Sequence, residues 1–266
     1  MTRLVVVGGG RMGHALIGGL LRTGWADPGD LAVIEPRPEA RHELVERYPG
    51  IQVAAEPVEA ESAVLAVKPS DAEKAAKSLI ATRCCRVVSI VAGVSIAHLE
   101  EWIGPGVAVL RAMPNTPAVL GAGAAALSGG QSVTEADYSW AEAVLSALGV
   151  VARLPEYQLD AVTGLSGSGP AYVFLLAEAL VDAGVHEGLE REVSRLLAVQ
   201  TLLGAARLLA ETGDAPETLR AAVTSPGGTT AAGLRVLEAH GLRSAVIEAV
   251  AAASARSRAL GLRSAT

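Results

Sequence analysis

The chain is poor in lysine, cysteine and aromatic side chains, and each shortage narrows what it can be. Its three lysines are Lys68, Lys74 and Lys77, and none follows position 77 in the 266 residues. A catalytic lysine in the second half is therefore excluded. The two cysteines, Cys84 and Cys85, are adjacent. Neighbouring cysteines rarely bridge without strain, and no Cys/His spacing suits zinc. A reducing, cytoplasmic setting is expected. One Phe, four Tyr and three Trp leave the apolar half of the composition to Ala, Leu and Val. The formal charge of −6 argues against nucleic-acid binding, which needs a basic face. No run of about 18 apolar residues is uninterrupted, so no membrane span is expected. The N-terminus runs through Val5, Val6 and Val7 straight into glycines, without the apolar segment and cleavage site of a signal peptide.

Two regimes are present. Leu4 to Val7, Leu31 to Ile34, Ala63 to Val67, Arg86 to Val91 and Val107 to Ala112 read as buried strands. They alternate with helical stretches at Met12 to Arg22, Glu39 to Arg47, Asp71 to Ile80 and Ile96 to Trp102. Such alternation predicts an α/β fold, a doubly wound and mostly parallel sheet of Rossmann type. Ala122 to Leu127 and Val150 to Leu154 add two late strands. From about Pro155 the period is helical, with segments at Ser168 to Ala183, Glu190 to Glu211, Pro216 to Val223, Ala231 to His240 and Ser244 to Leu260. The expected division is residues 1–154, a dinucleotide-binding domain, and 155–266, an all-α dimerisation and substrate-binding domain. The first of these helices is punctuated by Pro170 and Gly184. Its faces are apolar nearly all round, from Tyr172 and Phe174 to Val181, with Glu178 and Asp182 marking a wet side. A helix apolar on all sides needs burial on all sides, which a second subunit supplies more readily than so thin a domain.

Gly8-Gly9-Gly10-Arg11-Met12-Gly13 fits G-x-G-x-x-G between a strand and a helix. The first glycine serves the tight turn, the second the approach of a pyrophosphate, and the third close helix–strand contact. Glu35 ends the second strand, where an acidic residue often holds a ribose. Glu35 favours NAD; Arg37 and Arg11 suit the 2′-phosphate of NADP, and the sequence leaves that choice open. Ala66-Val67-Lys68-Pro69 closes another strand at the end where ligands bind. Ala112-Met113-Pro114-Asn115-Thr116-Pro117 follows a later strand end, and Asn115 offers a donor and an acceptor. His14, His42, His98, His186 and His240 are scattered, with no Ser/Asp partner at suggestive spacing, and read as surface or cap residues.

Thr224-Ser225-Pro226-Gly227-Gly228-Thr229-Thr230 breaks the helical half. Pro226 ends the preceding helix. Thr229 or Thr230 can cap the next, near Ala231. The free N–H groups there make an anion site.

These motifs, with Gly167-Ser168-Gly169-Pro170-Ala171-Tyr172, occur in order along essentially the whole chain. The sequence thereby resembles the pyrroline-5-carboxylate reductase family. The resemblance implies reduction of Δ1-pyrroline-5-carboxylate to L-proline by NADPH or NADH. It also implies a Rossmann domain, interleaved helices and a site at the interface of a homodimer, with larger rings of dimers in some members. Carried over, Gly8, Gly10, Arg11, Met12 and Gly13 hold the pyrophosphate, with Glu35 and Arg37 on the adenosine side. Ala66, Val67, Lys68 and Pro69 line the nicotinamide, and Met113 and Asn115 are further cofactor candidates. Ser225, Gly227 and the backbone N–H groups of Gly228 and Thr229 take the substrate carboxylate, and Thr230 meets the ring nitrogen as the catalytic residue. Two positions depart from the family pattern: Ala221, where many members have Asp or Asn, and Ala55-Glu56, where many have Asn. A β-hydroxyacid dehydrogenase shares the two-domain plan but needs a catalytic lysine in the helical half. A non-catalytic dinucleotide sensor would have no use for the elbow at 224–230.

Overall fold

The computed structural model describes residues 2–263. The described residues divide into two compact units, residues 2–168 with 252–263, and residues 169–251.

The first unit is a sheet of eight strands in the order β3-β2-β1-β4-β5-β6-β7-β8. In chain order these are β1 Thr2–Val7, β2 Leu31–Ile34, β3 Gln52–Ala54, β4 Ala60–Leu65, β5 Arg86–Ser89, β6 Ala108–Met113, β7 Gly123–Gly129 and β8 Gly149–Arg153. Every pairing is parallel except β6 with β7. The helices are α1 Arg11–Arg22, α2 Pro38–Arg47, α3 Ala72–Ser78, α4 Ile96–Ile103 and α5 Glu135–Leu145. Apolar side chains on both faces of the sheet explain why its strands read as continuous hydrophobic runs. Leu4 and Val6 join one core with Leu16, Leu20 and Leu145. Val5 and Val7 join the other with Ala76, Leu79 and Leu99. Because β1 lies between β2 and β4, the direction of winding reverses there. The crevice beyond the carboxyl ends of those strands is the place for a ligand in such a sheet.

β3 and α5 are absent from the sequence reading. β3 has three residues and pairs only with β2. α5 opens on a capping box, Thr134 with Asp137, which is a legible start signal.

After β8 the chain enters α6 Leu159–Val162, a π-helical turn at Thr163–Gly167, and α7 Gly169–His186. α8 Arg191–Thr212, α9 Pro216–Ala222, α10 Thr229–Ala239 and α11 Leu242–Arg263 follow. Gly184 does not end α7, which runs on to His186 before Gly188 turns at φ +93°. Gly184 instead admits a neighbour: a Cβ there would collide with Ser194 Oγ of α8. The hydroxyl of Ser194 is already fixed, donating to Val181 O at 2.7 Å.

Burial differs sharply between the units. Among the described residues of 169–251, the buried hydrophobic side chains are Val181 and Ala198, while Phe174, Leu175, Leu196 and Ile247 are each more than 60% exposed. The helical stretches 156–186 and 191–212 are also long and apolar enough to cross a bilayer by length and composition. They pass that test because scattered charges do not lower mean hydropathy far, whereas the sequence criterion required an unbroken run.

Candidate active site

β1 ends at Gly8, whose φ of +108° suits glycine. A Cβ there would stand 2.6 Å from Ala66 O, so Gly8 also lets the ends of β1 and β4 approach. Gly13 is buried, and a Cβ on it would strike the Gly8 carbonyl. Gly10 is the N-cap of α1, extended and with no side-chain cap, and no acidic residue lies in the first turn. The first helical bond runs from His14 N to Gly10 O at 2.9 Å. The N–H groups before it precede the helical ladder, and the space beside Gly10 is open, a Cβ there meeting nothing within 4 Å. Gly9 N–H is taken by Glu35 Oε2 at 3.0 Å, but backbone donors at a positive helix end, with no carboxylate in the helix's own first turn, fit a pyrophosphate.

A cleft of about 470 Å³ lies beside this loop. It gathers Gly8, Gly10, Glu35, Arg37, Ala66, Val67 and Lys68 of the residues expected from sequence. It also takes in Lys74, Asp71 and the segment Ala55, Glu56 and Pro57, which the sequence reading did not assign to the site. Arg11, Met12, Gly13, Pro69, Met113 and Asn115 are outside its lining. Arg11 is exposed, Met12 packs on the core, and Pro69 begins a short 3-10 turn.

Glu35 sits at the end of β2 and is 3% exposed. Burial alone raises its carboxyl pKa. Hydrogen bonds from the side chain and backbone of Arg37 and from Gly9 N–H outweigh that, and the carboxyl is held below the ordinary range. It is therefore a carboxylate at neutral pH.

Asn115 is spent on the chain itself. Its Oδ1 accepts Ala124 N–H at 2.9 Å and its Nδ2 donates to Ser166 O at 3.1 Å. These bonds tie the loop after β6 to β7 and to the π-helical turn. Met113 lies beside the same turn, its Cε 3.0 Å from where a Gly167 Cβ would be. Glu156, also missed from sequence, accepts both Arg111 Nη1–H at 2.9 Å and Ile96 N–H at 2.8 Å.

Thr224 Oγ1 donates to Arg220 O at 2.6 Å, closing α9. Gly228 N–H donates to Ser225 O at 3.0 Å, and Gly227 between them has φ +69°. Pro at the second position and a left-handed glycine at the third suit a type II turn. Gly228, not a threonine, is the N-cap of α10, and the helix begins at Thr229 without a side-chain cap. A Cβ on Gly228 would collide with Ser225 Oγ. The first helical bond there is Ala232 N to Gly228 O at 3.2 Å. The N–H groups of Thr229 and Thr230 thus precede the helical ladder, and both residues are exposed.

An uncapped glycine loop at the switch point of a doubly wound sheet defines a Rossmann-type dinucleotide-binding enzyme. A family model described as pyrroline-5-carboxylate reductase dimerisation matches residues 156–260, and one described as NADP oxidoreductase, coenzyme F420-dependent, matches residues 3–93. The chain belongs to the pyrroline-5-carboxylate reductase family, and is thereby an NAD(P)H-dependent oxidoreductase acting on an imine.

A curated pyrroline-5-carboxylate reductase of Mycobacterium tuberculosis is 45% identical, covering 98% of this chain and 97% of its own. One from Synechocystis is 45% identical over 97% of this chain and 98% of its own. The solved pyrroline-5-carboxylate reductase of Coxiella burnetii superposes with a TM-score of 0.92 at 36% identity, covering 97% of this chain and 98% of its own. That of Plasmodium falciparum, solved with NADP bound, gives 0.83 at 30% identity, with 98% of each chain covered. The match over 156–260 also accounts for the exposed apolar helices: they belong to a dimerisation domain.

Proposed function

We propose that this chain reduces Δ1-pyrroline-5-carboxylate to L-proline, with residues 1–154 holding the cofactor and the elbow at 224–230 holding the substrate. The observation that carries the substrate side is the uncapped start of α10. The turn through Gly227, closed by Gly228 N–H on Ser225 O, delivers Ser225 and the N–H groups of Thr229 and Thr230 to one helix end, so the Gly228 N–H expected from sequence to hold the carboxylate is already paired. A carboxylate suits that end because the dipole and the unpaired donors both favour negative charge.

NAD(P)H, when bound, supplies hydride from nicotinamide C4 to the C=N carbon, and the C=N electron pair passes to the nitrogen, which ends protonated in proline. The chain's contribution is to hold and orient. Ser225 and the elbow N–H groups anchor the carboxylate, which fixes the ring. Thr230 then orients the nitrogen through its hydroxyl, and water supplies any proton still required. The residues of the elbow, Thr224 to Thr230, include no strong acid, so positioning and preorganised dipoles do the catalytic work. Ala66 to Pro69, with Met113, line the nicotinamide side.

We also propose a cytoplasmic homodimer with the site at the subunit interface, able to form a ring of dimers, with neither nucleic acid nor membrane as a partner. The missing lysine in the helical half disfavours a β-hydroxyacid dehydrogenase.

Loss of NAD(P)H absorbance with pyrroline-5-carboxylate tests the activity. No consumption there, with reduction of NAD(P) by 3-hydroxyacids, overturns it. Thr230→Ala is expected to lower kcat by about 10²-fold, the scale of one lost transition-state hydrogen bond, while cofactor affinity changes little. An unchanged kcat with altered nicotinamide binding removes Thr230 from the chemistry.

A further inference from the structure

At the end of β2, a carboxylate and a guanidinium have spent their hydrogen bonds unequally. Glu35 Oε1 accepts the backbone N–H of Arg37 at 3.0 Å and its Nε–H at 2.9 Å. Oε2 accepts Gly9 N–H at 3.0 Å and Arg37 Nη2–H at 3.3 Å. An ionised carboxylate offers about four acceptor positions, and all four are filled from within the chain. A ribose diol could reach Glu35 only by displacing Arg37 or a backbone donor from a buried anion, which is costly.

Arg37 is the reverse case. Its side chain is 66% exposed and lines the cleft. Of the roughly five N–H donors on a guanidinium, the Glu35 fork takes one on Nε and one on Nη2, leaving both on Nη1 and the other on Nη2. The plane of the group is fixed by that fork, so little side-chain entropy remains to be lost on binding. Arg41 stands at the same strand end, its Nη1 donating to Glu35 O at 3.0 Å and Pro36 O at 2.7 Å. Glu39, Glu43 and Glu56 share this surface, so net charge does not draw an anion here. The directed N–H donors of Arg37 do.

We infer that Glu35 is a positioning residue and Arg37 the cofactor-specificity residue of this site, selecting the adenosine 2′-phosphate of NADPH over the free 2′-hydroxyl of NADH. The inference rests on the reading of the cleft as the cofactor site. The position read from sequence as a ribose carboxylate becomes the support of a phosphate-binding arginine.

Isothermal titration of the full-length protein with adenosine 2′,5′-bisphosphate and with 5′-AMP tests this without turnover. The bisphosphate is expected to bind at least about tenfold tighter, the scale of charge-assisted hydrogen bonds. Arg37→Ala is expected to bring the two affinities together by weakening the bisphosphate alone, and Arg37→Lys to restore part of the difference. Glu35→Gln should narrow the ratio and raise the KM for NADPH more than it lowers kcat. Circular dichroism establishes that each variant is folded, and Arg37 variants carry the test if Glu35→Gln is not. AMP binding as tightly as the bisphosphate, or a ratio unmoved by Arg37→Ala, overturns the inference. A ratio unmoved by a folded Glu35→Gln overturns the positioning role. Discrimination between the nucleotides with no reduction of pyrroline-5-carboxylate would fault the proposed reaction and leave the specificity intact. Reduction without discrimination would do the converse.

Discussion

Leu65 in the sheet and Leu175 in α7 are the same side chain with opposite fates, 0% and 67% exposed within one chain. Around Leu65 the sheet has helices on both faces, and its core closes without help. Around Leu175 the helices present apolar surface outward on most sides. At about 25 cal/mol per Å², burying a leucine contributes about 1.5–3 kcal/mol. A row of exposed leucines and valines therefore stores association energy rather than folding energy. Family membership identifies the receiver as a second copy of a dimerisation domain. The lesson is that the two units should respond differently to protein concentration: the sheet's stability is intrinsic, while the helical unit's depends on the partner.

The strongest way to break that contrast is to charge the outward face. Leu175→Asp places a carboxylate where a partner must bury it, at a cost of several kcal/mol. Light scattering is expected to show a monomer at micromolar concentration, with activity falling alongside. A variant that stays dimeric and active would place the interface elsewhere and leave the exposure of α7 unexplained.

A smaller effect lies inside the helical unit, at the close approach of α7 and α8. Gly184→Ala puts a methyl group against Ser194 Oγ. Either Ser194 rotates and loses its bond to Val181 O, or α7 and α8 separate. The expected loss is about 1–3 kcal/mol by urea unfolding. Combining it with Ser194→Gly should cost less than the two single changes summed, since the clash needs both side chains. Strict additivity would show that the helices do not depend on this contact.

Most of the sheet was legible in sequence because its signals are local: apolar strands four to seven residues long, glycines at the first turn, and helical periods between. α5 was missed despite the local capping box at its start; the other failures occurred where tertiary context decides. β3 is too short to announce itself, and it exists only through its pairing with β2. Gly184 read as a helix stop, because a glycine at a helix end and a glycine at a helix crossing look alike in one dimension. The π-helical turn at 163–167 has no sequence signature. Asn115 was rightly singled out as a donor and acceptor, yet both capacities go to the backbones of Ala124 and Ser166. Glu35 and Arg37 were both found, but only the geometry shows that they hold each other.

That pair gives the finest test of the comparison, because it sets a buried charge in the sheet unit against exposed charges in the helical one. Burial raises the Glu35 carboxyl pKa, but the bonds from Arg37 and Gly9 bring it below its ordinary value near 4.5. A depressed carboxylate pKa means the folded state holds the anion longer than the unfolded state does. Its contribution is complete from about a unit above pH 4.5 upward. It shrinks as the unfolded chain protonates below that, and vanishes once the pH has passed the folded pKa. Glu35→Gln is therefore expected to lower the urea midpoint by a constant amount from pH 8 to about 5.5, worth about 1 kcal/mol, and by progressively less toward pH 3. Glu192, paired with Arg195 at 3.1 Å with both side chains well exposed, is the control: Glu192→Gln should move the midpoint little anywhere, as exposed pairs contribute little. If the deficit of Glu35→Gln instead grew toward acid, the sign would be reversed. Burial, rather than the Arg37 fork, would then govern the carboxyl.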